Sequence, residues 1–340
     1  MFCPRILISG AGSGRGVVPE PGRTPTYGAG RVCAAAMARA ISAHTALAGV
    51  LGDPVRHSLS PAMHNAALTS LGLNWVYLAL PTPAAALETV VKAMETLNCR
   101  GLNVTIPHKQ AVAALCSELC PLAERLGAVN TLVPRPQGGW LGTNTDVEGF
   151  LAPLRNDGDG DAPGWAGRGA VVLGCGGSAR AVVAGLVALG CAPISVAARR
   201  PEAVAAFVAA CRAWAPQLEP LAWEHLGAAL AEAALLVNTT PVGMATSGDA
   251  EAVDRCPLRP AELDALAVGC TVYDLIYTPR PTALLRAAAA RRLPCLDGLE
   301  MLVQQGAASL RLWSGLETVP VAAMRDAAIT ALAASSQGSD

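Results

Sequence analysis

Lys109 is one of only two lysines among 25 basic residues, the other being Lys92; every remaining cation is Arg. An ammonium group is a compact charge that can also give up a proton, which a guanidinium in a protein does not do. Lys109 follows Asn103-Val104-Thr105-Ile106-Pro107-His108, a strand end with polar side chains alternating on one face, and stands at a strand-to-helix junction. Ser58-Leu59-Ser60 precedes a helix, where two hydroxyls suit a small carboxylate; as plain structure, Ser60 alone would cap the helix and Ser58 would have no task. Ala128-Val129-Asn130-Thr131 and Gly142-Thr143-Asn144-Thr145-Asp146 add an amide and a carboxylate near a helix start. Singly each is a cap or a turn residue, Asp146 above all. Together they form a polar set that a packed core does not need.

A second set points to a nucleotide. The strand Ala170–Leu173 runs into Gly174-Cys175-Gly176-Gly177-Ser178-Ala179-Arg180, so Gly174, Gly176 and Ala179 fill the three positions of G-x-G-x-x-G/A. The first allows the tight turn, the second close approach of a pyrophosphate, the third close packing of helix on strand. The following helix offers its free N–H groups and positive dipole end to phosphates. A glycine-rich turn alone is weak evidence, but strand, turn and uninterrupted helix occur here in the right order. About 20 residues past the glycines, where an NAD site places an acid, the chain reads Ala197-Ala198-Arg199-Arg200. Two guanidinium groups suit the 2′-phosphate of NADP; the plainer reading is that they solubilise a helix start.

Periodicity supplies the elements that must carry these groups. Strands are expected at 46–51, 75–80, 101–106, 129–133 and 140–143, the last two as a hairpin around Gln137-Gly138-Gly139. Helices are expected from Ser60 as N-cap with Pro61 at N1, over 84–97, 110–116 and 146–154. Residues 156–169, rich in Gly, Asp and Pro, read as a linker or loop. Strands at 170–173, 194–197, 234–238 and 271–275 then alternate with helices at 178–189, 201–213 and 281–291. That alternation implies a parallel, doubly wound sheet. The fold class is α/β: an N-terminal substrate domain (46–148, with returning helices in 299–340) and a Rossmann-like dinucleotide domain (149–298), with the site in the cleft between them. Residues 1–45 read as a flexible extension, because Pro19, Pro21 and Pro25 stop any helix after Gly10–Gly16; Met37 is an alternative start.

Composition narrows the classes. Of 340 residues, 52% are hydrophobic and 15% charged, with 25 basic against 26 acidic side chains, so no basic nucleic-acid footprint is expected. The apolar stretch 181–198 is broken by Gly185, Gly190 and Pro193 and reads as a buried helix and strand, not a membrane span. Eleven cysteines, without a C-x-x-C pair or zinc spacing, predict no metal and fit a reducing, cytoplasmic compartment. A monomer or a homodimer is expected.

The motifs, taken in order, resemble those of the shikimate dehydrogenase family. They are GDPVRHSLSPAMHN from Gly52, GLNVTIPHK from Gly101, GAVNT from Gly127, GTNTD from Gly142, GCGGSAR from Gly174, NTTPVGM from Asn238, DLIYTPRPTALL from Asp274 and DGLEMLVQQGA from Asp297. The likeness spans roughly residues 47–335. It implies reversible, NADPH-dependent reduction of 3-dehydroshikimate to shikimate, in aromatic amino-acid biosynthesis. Residue by residue, it implies Lys109 and Asp146 as the catalytic pair and Ser58 and Ser60 for the substrate carboxylate. It implies Asn103, Thr105, Asn130 and Gln305 around the substrate's hydroxyls and carboxylate, with Tyr277 completing that side. On the cofactor side it implies Gly174, Cys175, Gly176, Gly177 and Ser178, the segment Ala198-Arg199-Arg200, Thr239, Leu275, and Gly298 beside the nicotinamide. Many relatives carry Asn-Arg-Thr and a further Arg where this chain has Ala198-Arg199-Arg200 and Ala203. The alternatives are a quinate/shikimate dehydrogenase with broader substrate or cofactor use, and a non-catalytic NADP-binding regulator; the two serines and two arginines oppose the first, and an intact Lys109 and Asp146 the second.

Overall fold

The computed structural model describes residues 41–155, 164–245 and 249–337. The predicted N-terminal extension thus falls almost wholly outside the described residues. Two six-stranded sheets organise the rest.

The first sheet contains β1 (Ala46–Gly52), β2 (Trp75–Pro81), β3 (Leu102–Val104), β4 (Glu118–Leu119), β5 (Thr131–Pro134) and β6 (Trp140–Thr143), in the order β2-β1-β3-β5-β6-β4. β1 pairs in parallel with β2 and β3, whereas β5 is antiparallel to both β3 and β6. The carboxyl ends of β1, β3 and β6 and the start of β5 therefore meet at one edge. Ser58, Lys109, Asp146 and Asn130 all lie just beyond those ends, which is why residues far apart in sequence converge. Helices α1 (Ser60–Ser70), α2 (Leu87–Thr96), α3 (Pro121–Leu126) and α4 (Asp146–Leu151) complete this part. The predicted helix at 110–116 is a 3₁₀ segment, Ala111–Leu115.

The second sheet holds β7 (Ala170–Leu173), β8 (Ile194–Ala197), β9 (Leu218–Pro220), β10 (Leu235–Asn238), β11 (Thr271–Asp274) and β12 (Cys295–Leu296), all parallel. Its order, β12-β11-β10-β7-β8-β9, is that of a doubly wound dinucleotide fold, with the reversal between β7 and β10. Its central strands are almost wholly apolar (Ala-Val-Val-Leu in β7, Leu-Leu-Val before the terminal Asn238 in β10) because helices cover both faces. These are α5 (Gly177–Ala188), α6 (Pro201–Cys211), α7 (Leu226–Glu232), α8 (Pro260–Asp264) and α9 (Ala283–Ala290).

The chain then returns. In α10 (Gly298–Ser314) and α11 (Val321–Gln337), Leu299, Val303, Leu310, Met324 and Ala328 join the core formed by Val50, Met63 and Tyr77 of the first sheet. Helix α4 touches both parts: Phe150 stacks on Tyr273 of β11 at 5.3 Å between ring centroids, while Asp146 in its first turn faces the polar edge of the first sheet. One expectation here needs correction. The N-cap of α1 is Leu59, not Ser60; Ser60 sits inside the first turn and its N–H donates to Ser58 Oγ at 3.2 Å, so Ser58 supplies the capping oxygen. Of the expected linker or loop at 156–169, residues 156–163 lie outside the described residues, and 164–169 form neither helix nor strand; within them Trp165 is buried and its indole N–H donates to the Leu154 carbonyl at 3.1 Å.

Candidate active site

Lys109 Nζ donates to Asp146 Oδ2 at 2.6 Å, and both side chains are nearly enclosed, at 14% and 6% exposure. The other carboxylate oxygen, Oδ1, accepts from Asn130 Nδ2 at 2.8 Å. Asp146 is at the first position of α4, where the helix dipole favours its charge, and Asn144 Oδ1 accepts its backbone N–H at 3.0 Å. The plain reading of Asp146 as an N-cap fails: Thr145 is the N-cap of α4, and the Asp146 carboxylate accepts from Lys109 and Asn130.

Asn130 is the hub. Its Oδ1 accepts from the Thr145 backbone N–H at 2.8 Å and from Thr131 Oγ1 at 2.9 Å, which directs its Nδ2 to Asp146 and, more distantly, to Gln305 Oε1 at 3.4 Å. Asn103 Nδ2 donates to Ser309 Oγ at 2.9 Å, and Ser309 in turn lies 2.8 Å from Thr131 Oγ1. Asn103, Asn130, Thr131, Asp146, Gln305 and Ser309 are all buried, yet all are hydrogen-bonded, so the network is satisfied and rigid. Ser60 is buried at the rim of this network, with Ser58 and Thr105 partly exposed. Tyr277 is partly buried, its phenol raised by burial, and it makes no hydrogen bond among the described residues.

Lys109 also borders the nucleotide loop. Its methylenes lie 3.8 Å from where a Cβ on Gly177 would stand. Gly174 has φ +104°, and a Cβ there would come within 2.5 Å of Thr239 Oγ1; that hydroxyl donates to the Leu173 carbonyl at 2.7 Å and braces the turn. Around Gly176 no atom lies within 4 Å of a built Cβ, so space is open in front of α5, whose first turn has no side-chain cap. Cys175 and Ser178 are partly buried along the same loop. Leu275 and Gly298 are in direct backbone contact, with Leu275 O only 1.9 Å from a Cβ built on Gly298. Ala198 is partly buried, while Arg199 and Arg200 are exposed at the end of β8 and form no ion pair among the described residues. An open loop at a helix start, flanked by unpaired guanidinium groups, fits a phosphorylated dinucleotide.

The network contains residues that sequence reading did not select. Ser309 lies one helical turn beyond Gln305 on α10, a spacing that would have revealed it. Tyr77, whose hydroxyl donates to Asn103 Oδ1 at 2.7 Å, looks in sequence like an ordinary strand aromatic.

The parallel sheet with its strand reversal, and a lysine–carboxylate pair facing its glycine loop, define a two-domain, dinucleotide-dependent oxidoreductase. Residues 50–132 match the family model of the shikimate dehydrogenase substrate binding domain, and residues 298–329 that of the shikimate 5′-dehydrogenase C-terminal domain. A Synechococcus sp. (strain JA-3-3Ab) protein named shikimate dehydrogenase (NADP(+)) is 47% identical over 297 residues, covering 87% of this chain and 98% of its own. A protein of the same name from Thermosynechococcus vestitus is 48% identical over 294 residues, 86% of this chain and 98% of its own. The shikimate 5-dehydrogenase of Thermus thermophilus, solved in complex with NADP(H) and shikimate, superposes with a TM-score of 0.73 at 38% identity, over 84% of this chain and all of that one. The chain belongs to the shikimate dehydrogenase family.

Proposed function

We propose that the chain catalyses the reversible, NADP-dependent interconversion of shikimate and 3-dehydroshikimate. The observation that carries the reading is the enclosed Lys109–Asp146 pair at 2.6 Å, backed by Asn130 and bordering Gly177 of the nucleotide loop. NADPH, when bound, supplies the hydride. The oxygen of the reduced carbonyl then needs a proton and a countercharge, and Lys109 Nζ supplies both. Asp146 keeps the ammonium in one orientation and takes up the charge balance of an otherwise isolated buried cation. Asn130 holds Asp146 and, with Asn103, Thr105 and Gln305, surrounds the substrate hydroxyls. Ser58 and Ser60 hold the carboxylate, and Tyr277 closes the same side.

For the cofactor, the turn Gly174-Cys175-Gly176-Gly177-Ser178 and the start of α5 hold the pyrophosphate. Arg199 and Arg200, with Ala198 beneath them, take the 2′-phosphate. Thr239, Leu275 and Gly298 form the wall beside the nicotinamide. The substrate domain comprises residues 46–148 with the returning helices in 299–340, and the nucleotide domain residues 149–298. Among the described residues no helix is long and apolar enough to cross a membrane. The substrates are small polar metabolites, and the cytoplasm is the compartment assigned to the reaction.

The test compares shikimate and quinate as substrates with NADP⁺ and NAD⁺ as acceptors, using the purified full chain. The expected result is highest kcat/KM for shikimate with NADP⁺. Equal or better use of quinate or NAD⁺ would favour the broader enzyme, and tight shikimate binding without turnover would favour a regulator.

A further inference from the structure

Tyr77 carries no step of the reaction, yet it touches two groups assigned to the substrate. It lies on β2, completely buried, and its hydroxyl donates to Asn103 Oδ1 at 2.7 Å. The far end of the same carboxamide fixes its direction. Asn103 Nδ2 is 3.3 Å from the Asn130 carbonyl oxygen, which can only accept, and 2.9 Å from Ser309 Oγ. Nitrogen therefore faces Asn130 and Ser309, and oxygen faces Tyr77. Both amide protons are committed, so the capacity Asn103 has left is the second lone pair of Oδ1.

The phenol is itself held. The His64 ring stacks on it at 4.1 Å between centroids and 8° between planes. Burial pulls His64 down to about 3, so the stacked ring is neutral and adds no charge behind the site. Burial also raises the Tyr77 phenol well above its usual range, which keeps its proton in place as a donor. The Ser60 side chain lies against the same hydroxyl.

We infer that Tyr77 is a positioning residue that locks the Asn103 carboxamide as a hydrogen-bond acceptor toward a substrate hydroxyl, linking it to the carboxylate side of the site at Ser60. This inference rests on the substrate assignment made above. Without the phenolic hydroxyl, Oδ1 loses a buried partner and the carboxamide is held from its nitrogen end alone, by the Asn130 carbonyl and Ser309, so its oxygen is no longer fixed toward the substrate. Substrate binding then suffers while the Lys109–Asp146 pair and the nucleotide loop stay intact.

The test is Tyr77→Phe, which keeps the ring and its stack on His64. Initial rates of shikimate oxidation are measured with shikimate and NADP⁺ varied in turn. The expected result is a shikimate KM raised about tenfold, equivalent to about 1.4 kcal/mol, with kcat and the NADP⁺ KM within twofold of the parent. A shikimate KM within twofold of the parent overturns the inference, as does a kcat or NADP⁺ KM that changes as much as the shikimate KM. Should Tyr77→Phe fail to fold, Tyr77→Met, which also removes the hydroxyl while filling the buried site, is held to the same criteria. A parent chain that does not oxidise shikimate would instead remove the substrate assignment, so the two failures are distinct.

Discussion

Gly298→Ala is expected to damage activity more than stability, because it strikes where the two halves of the site are joined. A Cβ at this position would stand 1.9 Å from Leu275 O and 2.4 Å from Leu275 C, and real Cβ contacts do not fall below 3.0 Å. The backbone of α10 and the segment after β11 must therefore separate by about 1.1 Å, because neither contact atom belongs to a flexible side chain. The hydrogen bond from the Gly298 N–H to the Ile276 carbonyl, at 3.2 Å, is strained by the same movement. Overpacking of this kind costs ~1–3 kcal/mol, or about 2–10 °C in Tm. The movement reaches Tyr277 on one side and Gln305 and Ser309 of α10 on the other. A misplacement of about 1 Å can cost ~100-fold in rate. Kinetics with shikimate and NADP⁺, alongside thermal melting, should show kcat/KM down about 100-fold and only a modest loss in Tm. A variant with kcat/KM within threefold of the parent and an unchanged Tm would refute the claim that this contact sets the geometry.

Two further variants probe the cofactor side and a buried acid. Replacing both Arg199 and Arg200 with Ala should raise the NADP⁺ KM at least ~10-fold, from the loss of charge-assisted hydrogen bonds, and leave the NAD⁺ KM unchanged; equal effects on both cofactors would remove the 2′-phosphate assignment. Asp274 lies at the end of β11, where its carboxylate accepts from Thr282 Oγ1 at 2.7 Å and Asn238 Nδ2 at 2.9 Å. Desolvation raises its carboxyl to about 6 despite those bonds. A raised acid makes its contribution below the unfolded pKa and loses it as pH climbs through the folded value. Between about pH 4 and pH 6 the parent should therefore lose up to ~3 kcal/mol relative to Asp274→Asn, as read by denaturant unfolding at several pH values. A constant gap between the two proteins would contradict this.

The nucleotide half was legible because its signals are local: β7, the Gly174 turn and α5 are contiguous, and uninterrupted apolar strands mark a sheet covered on both faces. Strands of two or three residues, such as β4, β9 and β12, left no periodicity to read. The polar residues of the first sheet were visible as a set, but their partners were not. Ser60 looked like an N-cap because Ser before Pro fits that role; the structure moves the cap to Leu59 and gives the capping oxygen to Ser58. Tyr77 and Ser309 escaped because a strand aromatic and a mid-helix serine are ordinary core and surface residues until the sheet order brings them to Asn103. Composition showed that Lys109 was an unusual choice of cation, and the resemblance implied Asp146 as its partner; the folded edge of the sheet brings the two within 2.6 Å.

The most direct test of that pairing is Lys109→Ala, measured for steady-state turnover of shikimate with NADP⁺ and, separately, for NADPH binding by calorimetry. The predicted result is a kcat reduced by ~10²–10⁴, with NADPH affinity within threefold of the parent, because the lysine gives the proton and the glycine loop holds the nucleotide without it. Near-parent turnover in this variant would contradict the account.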